Sequence, residues 1–242
     1  MMYIFSYSDS INYYERKWFS QNGEDGIIEE LFARIGTTNK MFVEIGVQHG
    51  LESNTAYLSR HKQWTGYMVE ANPFYYEQLC HNFAAFRSVR PVHYFVDVLS
   101  VNKLFEAKDI PYKFDLLSID IDGNDYWIWG ALLEYRPRVV VIEYNASFLP
   151  PKKMVVQYDP QFIWDGTSHF GASLSSLAEL GRTMGYSLIG TESRGVNAFF
   201  VRNDLVEVSR FRALTAEEAY HLPDYGPDQG GHPRRDGPYL EI

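Results

Sequence analysis

Three carboxylates stand within six residues in the run Ser118-Ile119-Asp120-Ile121-Asp122-Gly123-Asn124-Asp125. Charges of one sign repel, and such a group persists where a proton, a cation or a substrate offsets the repulsion. A second polar run, Glu143-Tyr144-Asn145, ends another apolar stretch. Alternate residues of an extended chain share a face, so Asp120 goes with Asp122 and Glu143 with Asn145. If the two stretches are neighbouring strands, these four side chains converge. Oxygen ligands of this kind suit magnesium or calcium. They suit equally a general base, Asp120, with orienting partners. The same Asp122-Gly123-Asn124-Asp125 is also ordinary turn and helix-cap sequence. His169 is a further candidate base, because it precedes a predicted helix on a loop that can carry it over a pocket. A lone loop histidine is more often a surface or structural residue.

Other polar residues mark the ends of apolar runs. Glu44-Ile45-Gly46-Val47-Gln48-His49-Gly50 follows a short hydrophobic stretch, and its glycines let the backbone turn tightly beside a ligand. The spacing is not G-x-G-x-x-G, which weighs against a dinucleotide-dependent oxidoreductase. Glu70 follows at the distance where an acid accepts hydrogen bonds from ribose hydroxyls; the bland reading is a solvated charge at a strand end. Asp97 ends the next run and can accept from an adenine amine, or serve as an ordinary cap.

The elements that position these residues alternate. Ser20 to Gly36 reads as a helix, with Ile27, Ile28, Leu31, Phe32 and Ile35 at helical spacing and Ser20 as its cap. Strands are predicted at MFVEIGV, Trp64 to Asn72, PVHYFVDV, FDLLSIDID and RPRVVVIEYN, the last with the continuous β-branched run of a strand covered on both faces. Helices are predicted about Asn54 to Arg60, from Pro73, from Asp125 and over GASLSSLAELGRTMGY. Such alternation implies an α/β fold with a mainly parallel sheet. YSLIGTES and VNAFFVRN read as a closing pair of strands. The segment 148–170 is long for a loop, and its aromatics argue for order. The chain reads as one domain over 1–242, with an N-terminal helical segment 1–36 and a C-terminal tail or lid over 210–242.

Charge narrows the partners. With 22 basic and 31 acidic residues the net charge is -9, which repels phosphate backbones and disfavours nucleic acid. The first ten residues lack the features of a signal peptide, and no stretch approaches the roughly 18 apolar residues of a membrane span. The single cysteine, Cys80, forbids an intramolecular disulfide. The reading is a cytoplasmic protein, with no membrane partner, acting on a small molecule. Oligomeric state is open.

The ordered set SQNGEDGII, FVEIGVQHGLESNT, YMVEANP, LLSIDIDGNDYWIW and VVVIEYN resembles class I S-adenosylmethionine-dependent methyltransferases, most closely the FkbM-like branch, over about Ser20 to Arg202. The resemblance implies a Rossmann-like three-layer sandwich with a mainly parallel seven-stranded sheet and an antiparallel C-terminal hairpin. It implies S-adenosylmethionine as cofactor and O-methylation of a small acceptor such as a sugar or natural product, with Mg2+ as a possible second cofactor. Glu44, Gly46 and Gly50 match the motif under the methionine part, Glu70 the ribose-binding acid and Asp97 the adenine-side acid. Asp120 matches the position beside the methyl, and Gln21, Gly23 and Glu24 match residues near the cofactor's amino acid end. The turn Gly-Val-Gln-His-Gly departs from the common pattern of small residues. The alternative reading is a non-catalytic cofactor-binding or scaffold protein, which has no evident use for adjacent uncompensated carboxylates.

Overall fold

A computed structural model describes residues 10–242; the first nine residues of the expected N-terminal segment lie outside it. Seven strands form one sheet in the order β3-β2-β1-β4-β5-β8-β7. These are β1 (Met41–Ile45), β2 (Thr65–Glu70), β3 (Val89–His93), β4 (Leu116–Ile119), β5 (Val139–Glu143), β7 (Tyr186–Thr191) and β8 (Asn197–Arg202). The first five are parallel, and β8 runs antiparallel between β5 and β7. The expected α/β class and closing hairpin are therefore what the chain forms.

Alternation along the central strands divides the core between two faces. Val43, Ile45, Leu117, Ile119, Val140 and Ile142 meet Phe105, Ile128, Trp129 and Leu177 on one side. Phe42, Leu116, Val139 and Val141 meet Ile27, Ile28, Leu31 and Leu79 on the other. The first set of partners comes from α4 (Val101–Ala107), α5 (Asp125–Ala131) and α6 (Leu174–Met184); the second from α1 (Glu24–Ile35) and α3 (Pro73–Phe83). All five residues of β5 are buried, as its continuous apolar run required. The short α2 (Ala56–His61) follows the first turn, and α7 (Asn203–Ser209) and α8 (Ala216–Ala219) follow the sheet.

Several boundaries differ from the sequence reading. Helix α1 starts at Glu24 rather than at Ser20, because Gly23 takes φ +109° and turns the chain. Ser20 still acts locally: its hydroxyl accepts from the Asp25 N–H, and Asp25 Oδ2 accepts from the N–H groups of Trp18, Phe19 and Ser20. Strand β3 ends at His93, five residues short of Val98. Segment 148–170 contains a strand, β6 (Met154–Val156), which pairs antiparallel with β9 (Tyr239–Glu241) near the C-terminus. Its partner lies more than 80 residues away, so no local pattern announces it. The tail is thus strapped to that segment rather than loose.

One buried acid ties β1 to β4 at their entry ends. Asp115 is fully buried and accepts from the N–H groups of Thr38, Asn39 and Lys40, at 2.9, 3.1 and 2.7 Å, and from the Thr38 hydroxyl. Asp115→Ala removes the acceptor that gathers those donors; because Thr38, Asn39 and Lys40 are exposed, water replaces it in part, and urea unfolding is expected to show a loss of about 2 kcal/mol. Asp115→Asn, which keeps part of the set, is expected to lose less.

Candidate active site

The order of chain entry into the sheet reverses between β1 and β4, and ligands of open α/β sheets bind beyond the strand ends at that point. A cavity of about 470 Å³ lies there, bounded by the ends of β1, β2 and β5, by the residues that follow β1, β2, β3 and β4, and on its outer side by Phe162, Trp164, Tyr225 and His232. Gly46 sets its floor. With φ +87°, a Cβ at this position would stand 1.6 Å from the Asp120 carbonyl oxygen. Only glycine lets the first turn pass so close to the end of β4. Gly50 is not on the cavity wall; a Cβ there would meet Leu79 Cδ1 at 2.5 Å, so it packs the turn onto α3.

Glu70 is on the wall and fixed in direction. Its Oε2 accepts from the Gln48 N–H at 2.7 Å and its Oε1 from the Asn72 N–H at 2.6 Å. Glu44 also reaches the wall, but its carboxylate is engaged by the Asn54 and Thr55 N–H groups and the Thr55 hydroxyl. Burial outweighs those bonds and pushes its pKa up to about 7. Gln21 and Glu24 line the cavity from the start of α1, and Glu24 Oε1 accepts from Asn197 Nδ2 at 3.0 Å. Gly23 stands behind them as the turn residue, off the wall.

Asp120 and Asp122 do converge with Glu143: one oxygen from each lies within 4.8 Å of the others. Strand alternation is not the cause, since β4 ends at Ile119. Asp125 does it, accepting from the Ile121 and Gly123 N–H groups at 2.9 Å each and curling the chain so that Asp122 takes φ +54°. Burial, then the charges of Asp122 and Asp125, hold the Asp120 carboxyl well above the usual carboxylate range. Burial and then Asp125 and Glu70 push Asp122 up to about 6, and burial followed by Asp120 raises Glu143 strongly.

Three more expected site residues, besides Gly23 and Gly50, stand elsewhere. Asn145 does not join the carboxylates: its Nδ2 donates to the carbonyls of Ser168 and Phe170 and its Oδ1 accepts from Ser147, so the amide is spent on holding the 168–170 turn. His169 does not face the cavity. It borders a neighbouring groove, with Nε2 3.2 Å from the Pro238 carbonyl and its ring against Tyr239, because the pairing of β9 with β6 brings the tail across it. Asp97 is off the wall too. Because β3 stops early, its Oδ1 caps the next turn through Leu99 and Ser100, and Tyr94, Phe95 and Val96 take the wall position. Of the aromatics Tyr126, Trp127, Tyr144, Phe148, Trp164 and Phe170, only Trp164 lines the cavity.

The sequence reading missed Asn197, Tyr225 and His232, which all line it. Asn197 had a signal, one polar side chain in the apolar strand VNAFFV. Tyr225 and His232 sit in a tail with no periodicity. There His232 packs between Trp164 and Tyr225, ring centroids 4.6 and 5.1 Å away.

No helix among the described residues is long and apolar enough to cross a membrane. No family model matches the chain, and no curated protein matches it. Among solved structures the chain is similar to TYW2 of M. jannaschii in complex with AdoMet, at 19% identity over 77% of this chain and 79% of that one, TM-score 0.40. It is similar to precorrin-6y C5,15-methyltransferase from Geobacter metallireducens GS-15, at 14% identity over 77% and 89%, TM-score 0.44. It is also similar to the N-terminal domain of EvdMO1 with SAH bound, at 13% identity over 76% and 80%, TM-score 0.47.

Proposed function

We propose that the protein is a cytoplasmic S-adenosylmethionine-dependent methyltransferase that methylates a hydroxyl of a small acceptor such as a sugar or natural product. One observation carries the reading: Glu70 projects from the end of β2 into the cavity, aimed by Gln48 and Asn72, beside the Gly46 turn. That is where a carboxylate meets ribose hydroxyls. The whole chain acts as one domain, with the tail over 210–242 completing the outer wall beside Phe162 and Trp164. The acidic wall suits neither nucleic acid nor an anionic surface.

When bound, the cofactor supplies a methyl group already activated by a positive sulfur. Glu70 holds the ribose, and Gln21 and Glu24 bound the amino acid end. Glu44 shapes the floor by fixing the turn at Asn54 and Thr55. Asp120 faces the reacting centre. Asp120 would take the hydroxyl proton as the methyl passes from sulfur to the acceptor oxygen, the sulfur keeping the electron pair of the broken C–S bond. Burial favours the protonated form of Asp120, and a cation seated nearby would restore the carboxylate that accepts a proton. Asp120, Asp122 and Glu143 also fit a hard divalent cation such as Mg2+, with three carboxylate oxygens grouped in one wall. They would hold it, and it would lower the pKa of the acceptor hydroxyl.

Calorimetric titration with S-adenosylhomocysteine, with and without Mg2+, is expected to give binding that Glu70→Ala weakens by at least about tenfold, or 1.4 kcal/mol. No binding to folded protein would overturn the reading. A second outcome follows from Asp122. Its folded pKa of about 6 exceeds its ordinary 3.8, so the folded state binds the proton more tightly. Asp122 therefore costs stability progressively as pH rises from about 4 to 6, and fully above that. Asn tolerates the same left-handed backbone. Asp122→Asn is expected to stabilise the ligand-free protein by about 1 kcal/mol at pH 8, allowing for its partly solvated side, and by less at pH 5, measured by urea unfolding.

A further inference from the structure

Glu143 on β5 and Asn197 on β8 stand directly opposite each other in the antiparallel ladder. Both line the cavity, with 8% and 4% of their surface exposed. Glu143 Oε2 and Asn197 Oδ1 are buried and have no hydrogen-bond partner among the described residues. The Asn197 amide nitrogen is already engaged by Glu24, which fixes the free oxygen as an acceptor. Two buried oxygens without a partner are costly, and a ligand that donates to both, with a positive charge that keeps Glu143 ionised, satisfies them. The Tyr225 hydroxyl, also buried without a partner, lines the same cavity.

Charge narrows the donor. Seven lining residues are acidic and none is Lys or Arg. Glu44 and Glu70 already accept from backbone N–H groups, whereas Glu143 Oε2 has none. In the sheet β5 and β8 are separated from β2, and so from Glu70, by β1 and β4. The unpartnered oxygens therefore belong to the half of the cavity away from the ribose. The outer wall of the cavity is aromatic, with Phe162, Trp164, Tyr225 and His232. Aromatic faces attract organic cations, whereas a hard metal ion keeps oxygen ligands and water around it. An ammonium has three donors and one positive charge, so one group satisfies both acceptors and offsets the carboxylate.

We propose that the methyl acceptor is an amino alcohol or amino phenol whose ammonium sits between Glu143 Oε2 and Asn197 Oδ1 against Tyr225 and Trp164, leaving its hydroxyl to Asp120. This rests on the methyltransferase reading. The ammonium has no lone pair while it is held protonated, so the methyl goes to oxygen. The O–CH3 bond forms, the C–S bond breaks with its electrons on sulfur, and the hydroxyl proton passes to Asp120.

The test is calorimetry on protein saturated with S-adenosylhomocysteine, in EDTA and again in Mg2+, with probe pairs that differ by one ammonium. These are tyramine against 4-ethylphenol, and glucosamine against glucose. In at least one pair the amine is expected to bind about tenfold more tightly. Glu143→Gln is expected to reduce that preference to within about twofold while S-adenosylhomocysteine affinity changes by less than about twofold. Tyr225→Phe, which keeps the ring, is expected to reduce it partly. Equal affinity within both pairs overturns the proposal, and does so on the unaltered protein even if a variant fails to fold. A Glu143→Gln variant that loses the homocysteine derivative instead overturns it by assigning these oxygens to the cofactor's own ammonium. Mg2+ binding without any amine preference overturns it in favour of a metal. If the homocysteine derivative does not bind at all, the methyltransferase reading fails, and the amine preference of the ligand-free protein still decides the site.

Discussion

Everything in the cavity depends on how closely β1 approaches the end of β4. The Asp120 carbonyl lies where a side chain at position 46 would begin, and the two strands are also bonded there through the Asp120 N–H and the Ile45 carbonyl at 3.0 Å. This contact brings the turn after β1 and the carboxylates after β4 into one floor. A larger residue at Gly46 forces them apart. The strand order adds the second half of the arrangement, because β2 and β5 flank this pair and carry Glu70 and Glu143 to opposite sides of the same cavity.

The acids around that floor differ in how they are held. Glu44, Glu70 and Asp125 accept from backbone N–H groups, so they shape turns as well as carry charge. Asp120, Asp122 and Glu143 are grouped by the fold instead, and all three carboxyls are pushed upward by burial and by neighbouring acids, Asp125 among them. A protein that keeps such a group in its cavity wall is arranged for something positive. A divalent cation and an organic cation such as an ammonium are the chemical species that answer to that description.

Local pattern in the sequence was enough for the parallel sheet, its closing hairpin and most of the floor. Glu70, Asp120, Asp122 and Glu143 were legible because each ends an apolar run, and the ends of such runs gather at one edge of the sheet. Asp97 and Asn145 shared that signal and still fell away from the cavity. Their side chains were taken up by nearby backbone groups, which polarity at a strand end does not reveal. His169 failed for a different reason. Its surroundings are set by a strand pairing across more than 80 residues, and the same pairing hid Tyr225 and His232.

That pairing has a further consequence for how the cavity is completed. Strands β6 and β9 share three rungs, and the Arg235–Asp165 ion pair and the 2.7 Å bond from the Tyr239 hydroxyl to the Ser168 carbonyl are the neighbouring ties. The central sheet has seven strands and a core on each face, so its cooperative unit is far larger than this one. The outer wall is therefore held by the smaller unit, and it opens at a lower free-energy cost than the floor beneath it unfolds.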